Sequence, residues 1–251
     1  MSKPDVPMTF WDHLDELRKR LLRSIVGVTV ASIIGFLLSG RAQAFLVKPF
    51  TEKVQGSLAL LAPADGFMVQ MKISIIIGLA IALPYVAFEL YGFIGPGLKP
   101  GEKRWLWPVV IIANLLFWMG IAFAWYCLPA ALDFLGSYGG GGVQNLWSLK
   151  NYVNILIFLL LAFGIIFQLP LIIGILIAVG IVPAKFFREH RRMAIIVNFI
   201  IAGVATPTTD MITMLAMAIP LCLLYEVSIW VGVIIEKRRL ARRIASGEGA
   251  R

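Results

Sequence analysis

Charge is scarce in this sequence. Lys, Arg, Asp and Glu make up 15% of the 251 residues, against roughly 25% in soluble domains. The deficit is matched by a 59% share of hydrophobic residues, and together they exclude a water-soluble globular domain and a disordered chain. Cysteine is almost absent. Cys127 and Cys222 are the two present, both inside apolar runs, which excludes a disulfide scaffold and a thiolate metal site. Histidine is equally rare, and His13 and His190 are too far apart for a zinc-ligand spacing. A phosphate-cradling loop is missing as well, since the glycines of 139–142 are not followed by Lys and a hydroxyl residue. No His-Glu-x-x-His pair and no serine elbow occur. No residue therefore qualifies as catalytic, no metal or cofactor is expected, and the chain does not read as an enzyme. Strict alternation of apolar and polar residues is lacking too, which argues against an outer-membrane barrel.

What the chain has is long apolar runs. A hydrocarbon layer about 30 Å thick needs about 20 helical residues. Six runs meet or approach that length: Leu21–Gly40, Gly66–Leu98, Trp105–Leu132, Asn151–Gly180, Met193–Ala205 and Met211–Ile235. They predict an all-α membrane protein of six transmembrane helices, a single integral membrane domain over residues 1–251. The formal charge of +9 reads as topology rather than nucleic-acid binding, because Lys and Arg collect in cytoplasmic loops. The N-terminus, the second and fourth loops and the tail hold 18 of the 23 basic residues; Arg41, Lys48, Lys53, Lys72 and Lys150 fall on the other face. Both termini are thus expected in the cytoplasm. A cleaved signal peptide is imitated by Arg18–Arg23, the following apolar stretch and Ala42-Gln43-Ala44, but Asp12, Asp15 and Glu16 interrupt its basic region and further spans follow.

The spans are uneven. The second and fourth have 33 and 30 residues, or about 50 and 45 Å of helix, so they must tilt or bend. Pro84, Pro129, Pro170 and Pro220 each remove an N–H inside a run. The fifth has 13 clearly apolar residues and either thins the bilayer or extends back through Phe186–Arg192. The sixth is long enough only if it starts directly after Asp210. Long bent helices beside short ones predict a non-cylindrical bundle. Residues 9–20 read as a separate amphipathic helix, with Phe10, Leu14, Leu17 and Leu21 on one stripe and Asp12, Glu16 and Lys19 off it. Residues 236–251 read as a basic, polar, frayed tail.

Ionisable and amide groups in apolar runs are functional candidates, because burying them costs several kcal/mol unless they are paired. Glu89 lies near the cytoplasmic end of the second span, where it either takes part in function or pairs with a loop cation. Glu226 lies deeper in the sixth span. Gln168 precedes Pro170 by two and could satisfy the backbone that the proline frees. Asn114, Asn154 and Asn198 could join helices. Asp210 suits a helix N-terminus with no function required.

Composition and spacing stop there. The segment His13-Leu14-Asp15-Glu16-Leu17-Arg18-Lys19-Arg20 resembles the H-L-x-E-L-R-x-R signature that precedes the first span of the TatC family, the receptor subunit of the twin-arginine translocase. Further blocks match in order: Lys48-Pro49; Phe93-Ile94-Gly95-Pro96-Gly97-Leu98 with Glu102 and Arg104; Ala162-Phe163-Gly164 with Phe167 and Pro170; Thr206-Pro207 with Asp210; and Ala218-Ile219-Pro220 with Tyr225-Glu226. Three details depart from the family pattern. Gln168 stands where many members carry Glu, a family tyrosine falls at or beside Trp125 and Tyr126, and the last loop has an extra residue before Asp210. The resemblance implies a concave bundle that binds twin-arginine signal peptides of folded precursors through Glu16, Glu102, Arg18 and Arg104. Pro49, Gln168, Asp210, Glu89 and Glu226 become structural or coupling candidates. It also implies oligomers, single-span partner subunits, drive from the proton-motive force, and a bacterial or archaeal cytoplasmic membrane. The alternative from residues alone is an ion-coupled small-solute permease using Glu89 and Glu226.

Overall fold

A computed structural model describes residues 10–54, 57–94, 106–137, 146–205 and 211–245. Among them run eight helices and two short strands: α1 Phe10–Lys53, β1 Ser57–Ala59, α2 Asp65–Ile94, α3 Leu106–Ser137, β2 Leu146–Ser148, α4 Leu149–Ile166, α5 Leu169–Val179, α6 Ala184–Glu189, α7 Arg191–Ala205 and α8 Met211–Ala245. Five stretches are long and apolar enough to cross a membrane: Trp11–Lys53, Asp65–Phe93, Trp107–Ser137, Leu149–Ala178 and Met217–Lys237. The remaining expected span coincides with α7, whose 15 residues measure about 22 Å. Exposed side chains such as Leu37, Ile33, Trp230 and Leu223 suit a surface solvated by lipid rather than water.

Several boundaries differ from expectation for identifiable reasons. The expected amphipathic helix over 9–20 is not separate from the first span: α1 runs unbroken through 44 residues, because isolated glycines weaken a helix without ending it. Pro49 lies within its last turns. The fourth span divides at Pro170, which opens α5 near its first position, where a missing N–H costs nothing. The fifth does not extend back as one helix. His190 separates α6 from α7 with φ −93° and ψ 17°. The tail is helical to Ala245, as the good helix formers Lys, Arg, Leu and Ala after Glu236 allow.

The chain forms two compact units, Met1–Gly40 with Gln70–Asn114, and Arg41–Val69 with Leu115–Arg251. In the first, α1 and α2 meet through small residues. Ser24, Ala31 and Ser39 are buried on α1, and Ser74 and Ala82 on α2. A Cβ on Gly78 would collide with Ser32, and one on Gly35 with the Ser74 carbonyl, so backbones approach as small-residue motifs permit. The hydroxyls of Ser32, Ser39 and Ser74 donate to carbonyls of their own helices.

In the second unit, β1 and β2 pair in parallel, with Ser57 opposite Leu146 and Ala59 opposite Ser148. Ser148 then caps α4, its Oγ accepting from the Asn151 N–H at 3.4 Å. Phe50 packs edge-on against Trp147 and Tyr152, and the Tyr152 hydroxyl donates to the Leu46 carbonyl at 2.6 Å. Helices α3 and α4 cross where Gly120 faces the Phe163 carbonyl. At the other end of α4–α5, Gly180 takes φ 84° and closes α5, donating to the carbonyls of Leu176 and Ile177. Ile173, Ile177 and Ala184 form a small core there with Phe187, Tyr225 and Val233. Glu236 Oε2 accepts from the Ala184 N–H at 3.3 Å, and the Tyr225 hydroxyl donates to the Phe187 carbonyl at 2.9 Å.

These crossings predict opposite effects for two glycine substitutions. A Cβ at Gly120 would lie 2.5 Å from the Phe163 carbonyl oxygen, whereas one at Gly40 meets nothing within 4 Å. Gly120→Ala should destabilise the detergent-solubilised protein by about 1–3 kcal/mol. Gly40→Ala should be neutral or stabilise by up to about 1 kcal/mol. Thermal unfolding followed by tryptophan fluorescence checks both.

Candidate functional site

The polar face of α1 carries a cluster of charges of both signs. Asp12, Asp15, Glu16, Lys19, Arg20 and Arg23 line an open hollow of about 310 Å³. Helical spacing puts Glu16 and Arg20 one turn apart on one face. The Arg20 guanidinium donates from Nε and Nη2 to Glu16 Oε1, at 2.9 and 2.7 Å. Its Nη1 reaches across to α2, 3.4 Å from both Glu89 Oε2 and the Glu89 carbonyl oxygen. Glu89 is the buried member, with its side chain 7% exposed, while Glu16 and Arg20 are 26% and 21% exposed. The close approach depends on Gly92, where a Cβ would collide with Arg20 Nη1. Beside the cluster, the rings of His13 and Phe93 stack with centroids 4.2 Å apart.

The energies of the two contacts differ. Glu16 and Arg20 form a partly solvated pair at i, i+4, the kind worth about 0.3–0.5 kcal/mol. Glu89 has left water, and a buried carboxylate without its cation costs several kcal/mol. Arg20 therefore matters most as the counter-charge of Glu89. The geometry offers carboxylate oxygens to a planar guanidinium, and it offers no nucleophile.

The other candidates from the sequence fall in different places. Arg18 is exposed on α1 and is not among the residues that Arg20 brings together. Glu102, Arg104 and Asp210 lie outside the described residues. Gln168 links α4 to α5 without a side-chain cap. Its N–H donates to the Ile165 carbonyl and its own carbonyl accepts from Ile172, both at 2.9 Å, so a hydrogen-bonded turn joins the two helices. Glu226 is half-exposed and pairs with Arg191 Nη2 at 2.9 Å. Of the amides, Asn114 donates to the Val110 carbonyl of its own helix, and Asn198 reaches Cys222 Sγ on α8 at 3.8 Å. No three of His, Cys, Asp and Glu gather as metal ligands among the described residues.

Two features escaped sequence reasoning. The bridging role of Arg20 is half visible, since its spacing from Glu16 signals a helical pair, but for Glu89 the sequence offers a loop cation as partner and the structure gives Arg20 on α1. The second is Asp65, buried at the start of α2. It accepts from Lys150 Nζ at 2.9 Å and from the Ala62 N–H at 3.1 Å, tying α2 to α4 beside the strand pair. Lys150→Ala should lower stability, because it removes the cation from a carboxylate whose side chain is 7% exposed while Lys150 itself is 41% exposed. The Asp65→Asn, Lys150→Gln double substitution should recover much of that loss in the same unfolding assay.

Comparison with known proteins places the chain in a family. Residues 12–220 match the family described as Sec-independent protein translocase protein (TatC). The chain is 32% identical over 238 residues to the Sec-independent protein translocase protein TatC of Carboxydothermus hydrogenoformans, covering 94% of this chain and 98% of that protein. It is 37% identical over 228 residues to the chloroplastic TATC of Arabidopsis thaliana, covering 90% of this chain and 66% of that one. A crystal structure of a twin-arginine translocase receptor, TatC, superposes with a TM-score of 0.75 at 33% identity, covering 89% of this chain and 99% of the other. A second, determined in the detergent DDM, gives 0.77 at the same identity.

Proposed function

Because the chain belongs to the TatC family of Sec-independent protein translocase proteins, we propose that it is the receptor for twin-arginine signal peptides within a translocase that exports folded proteins. It is a multi-pass membrane protein of a transport family, not an enzyme. The observation that carries the reading is the α1–α2 cluster, where a guanidinium already sits against the carboxylates of Glu16 and Glu89. A site that holds one arginine in this way has the chemistry to recognise another. Carboxylates match the planar fork of arginine and discriminate against the point charge of lysine.

Family membership and the charge pattern support the remaining assignments. Both termini lie in the cytoplasm, a reading supported by the concentration of Lys and Arg in the terminal and alternate loops, in a bacterial or archaeal cytoplasmic membrane. The α1 hollow then opens on the cytoplasmic side at the membrane edge, where precursors arrive. Glu16 and Glu102 accept the two arginines, and Arg18 and Arg104 complete the peptide-binding site. Single-span subunits complete the complex, which is oligomeric and draws on the proton-motive force. Pro49, Gln168, Asp210 and Glu226 serve structure or coupling.

Orientation is checked by cysteine labelling in intact cells. A cysteine at Ser137 should react with a membrane-impermeant thiol reagent, and one at Gly101 should not. Function is checked by photocrosslinking to a twin-arginine peptide. Glu16→Ala or Glu102→Ala should weaken crosslinking, and Lys at either position should weaken it further through repulsion, with protein yield unchanged. A twin-lysine peptide should crosslink poorly to the unaltered chain. Undiminished crosslinking in the Glu16→Lys, Glu102→Lys double variant would sink the receptor assignment.

A further inference from the structure

The contacts of Arg20 are those of a ligand as much as of a structural side chain. Its Nε and Nη2 both converge on one oxygen, Glu16 Oε1, instead of spreading over the two oxygens that a carboxylate offers to a bidentate fork. Its third nitrogen stands 3.4 Å from Glu89 Oε2 and from the Glu89 carbonyl, at the long end for charge-assisted hydrogen bonds. Glu89 has its side chain 7% exposed, and removing the partner of a buried carboxylate is costly. Arg20 itself lines the open hollow with Asp12, Asp15, Lys19 and Arg23. It can swing toward solvent by side-chain rotation alone, since its backbone is held within α1.

We propose that Glu16 and Glu89 together form a guanidinium-binding site in which Arg20 is an exchangeable internal occupant. The site takes an arginine of an incoming peptide by displacing the chain's own, and Glu89 is a second acceptor that sets specificity for arginine. The proposal rests on the receptor reading and adds to it both an acceptor and a mode of exchange. Before the peptide arrives, Arg20 neutralises Glu89 and keeps the cluster folded. Once displaced, it remains nearby as a cation beside Asp12 and Asp15. Self-occupancy lowers the apparent affinity by the fraction of time the site is open: a site filled nine-tenths of the time binds about 10-fold more weakly than an empty one. A lysine peptide competes badly, because an ammonium cannot reach Glu16 and Glu89 through a rigid fork.

The test measures binding of a fluorescent twin-arginine peptide to the full chain in detergent, by anisotropy, with a twin-lysine peptide as reference. Two variants weaken the internal occupant without changing net charge. Arg20→Lys keeps the cation beside Glu89 but removes the fork. Gly92→Ala places a Cβ where Arg20 Nη1 lies and leaves every charged group in place, so it decides the matter if Arg20→Lys does not fold. Each should tighten binding of the twin-arginine peptide by about 3- to 10-fold. The Arg20→Gln, Glu89→Gln double variant, which leaves no buried unpaired charge, should bind no better than the unaltered chain because the second acceptor is gone. Unchanged or weaker binding in both Arg20→Lys and Gly92→Ala, with the unaltered chain still preferring the twin-arginine peptide, would overturn the exchange and leave the receptor reading standing. Tightening in the double variant equal to that of Arg20→Lys would remove Glu89 as an acceptor. Failure of the unaltered chain to prefer the twin-arginine peptide would overturn the receptor reading and this proposal with it.

Discussion

An ionised side chain in or beside hydrocarbon costs several kcal/mol unless an opposite charge accompanies it, and the acids of this chain are placed accordingly. Glu89 meets Arg20, Asp65 meets Lys150 and Glu226 meets Arg191. Each pair joins two different helices, so each adds a polar contact to the apolar packing between them. The same requirement makes the α1–α2 cluster informative. Its buried acid shares the Arg20 guanidinium with Glu16, so one cation serves two carboxylates.

Backbone contact supplies the second constraint. Within a membrane, lipid tails are as apolar as leucine side chains, so helices gain by close approach rather than by escape from solvent. Gly78 against Ser32, and Gly120 against the Phe163 carbonyl, bring helix surfaces to the distance at which dispersion and weak polar contacts count. Gly92 belongs to the same economy of space but serves charge, since it makes room for the Arg20 guanidinium. The large side chains left outward, such as Leu37 and Trp230, fit a lipid environment.

Much of this architecture was legible in the residues because hydrophobic run length is a direct measure of span length. The starts of α2 and α8 and the brevity of α7 follow from it. Limits of helices within polar sequence were less legible. The continuity of α1 and the helical tail of α8 depend on helix propensity outside the apolar runs, where hydropathy is silent. The short strands at 57–59 and 146–148 carry no alternating pattern long enough to detect. For the site, Glu16 could be read because a family motif marks it, and its pairing with Arg20 because four residues make one helical turn. The contact with Glu89 is 69 residues away and leaves no trace in local spacing. Glu226 was read as a deep acid from its distance along the span, but the hairpin of α7 and α8 brings Arg191 to it, which no linear count anticipates.

The parallel pairing of β1 with β2, together with the Asp65–Lys150 bond beside it, has a consequence for the order of biosynthesis. Parallel strands need a long crossover, and here α2 and α3 lie between the two partners. Asp65 is made 85 residues before Lys150. At translation rates of about 5–20 residues per second, the carboxylate waits for its ammonium about 4–17 s. Through that interval it lacks its partner, so the start of α2 settles into its final seat only after the rest of α2, all of α3 and the first residues of α4 have been made. Closure of the strand pair is thus a late event in the life of the nascent chain, and it joins segments that left the ribosome seconds apart.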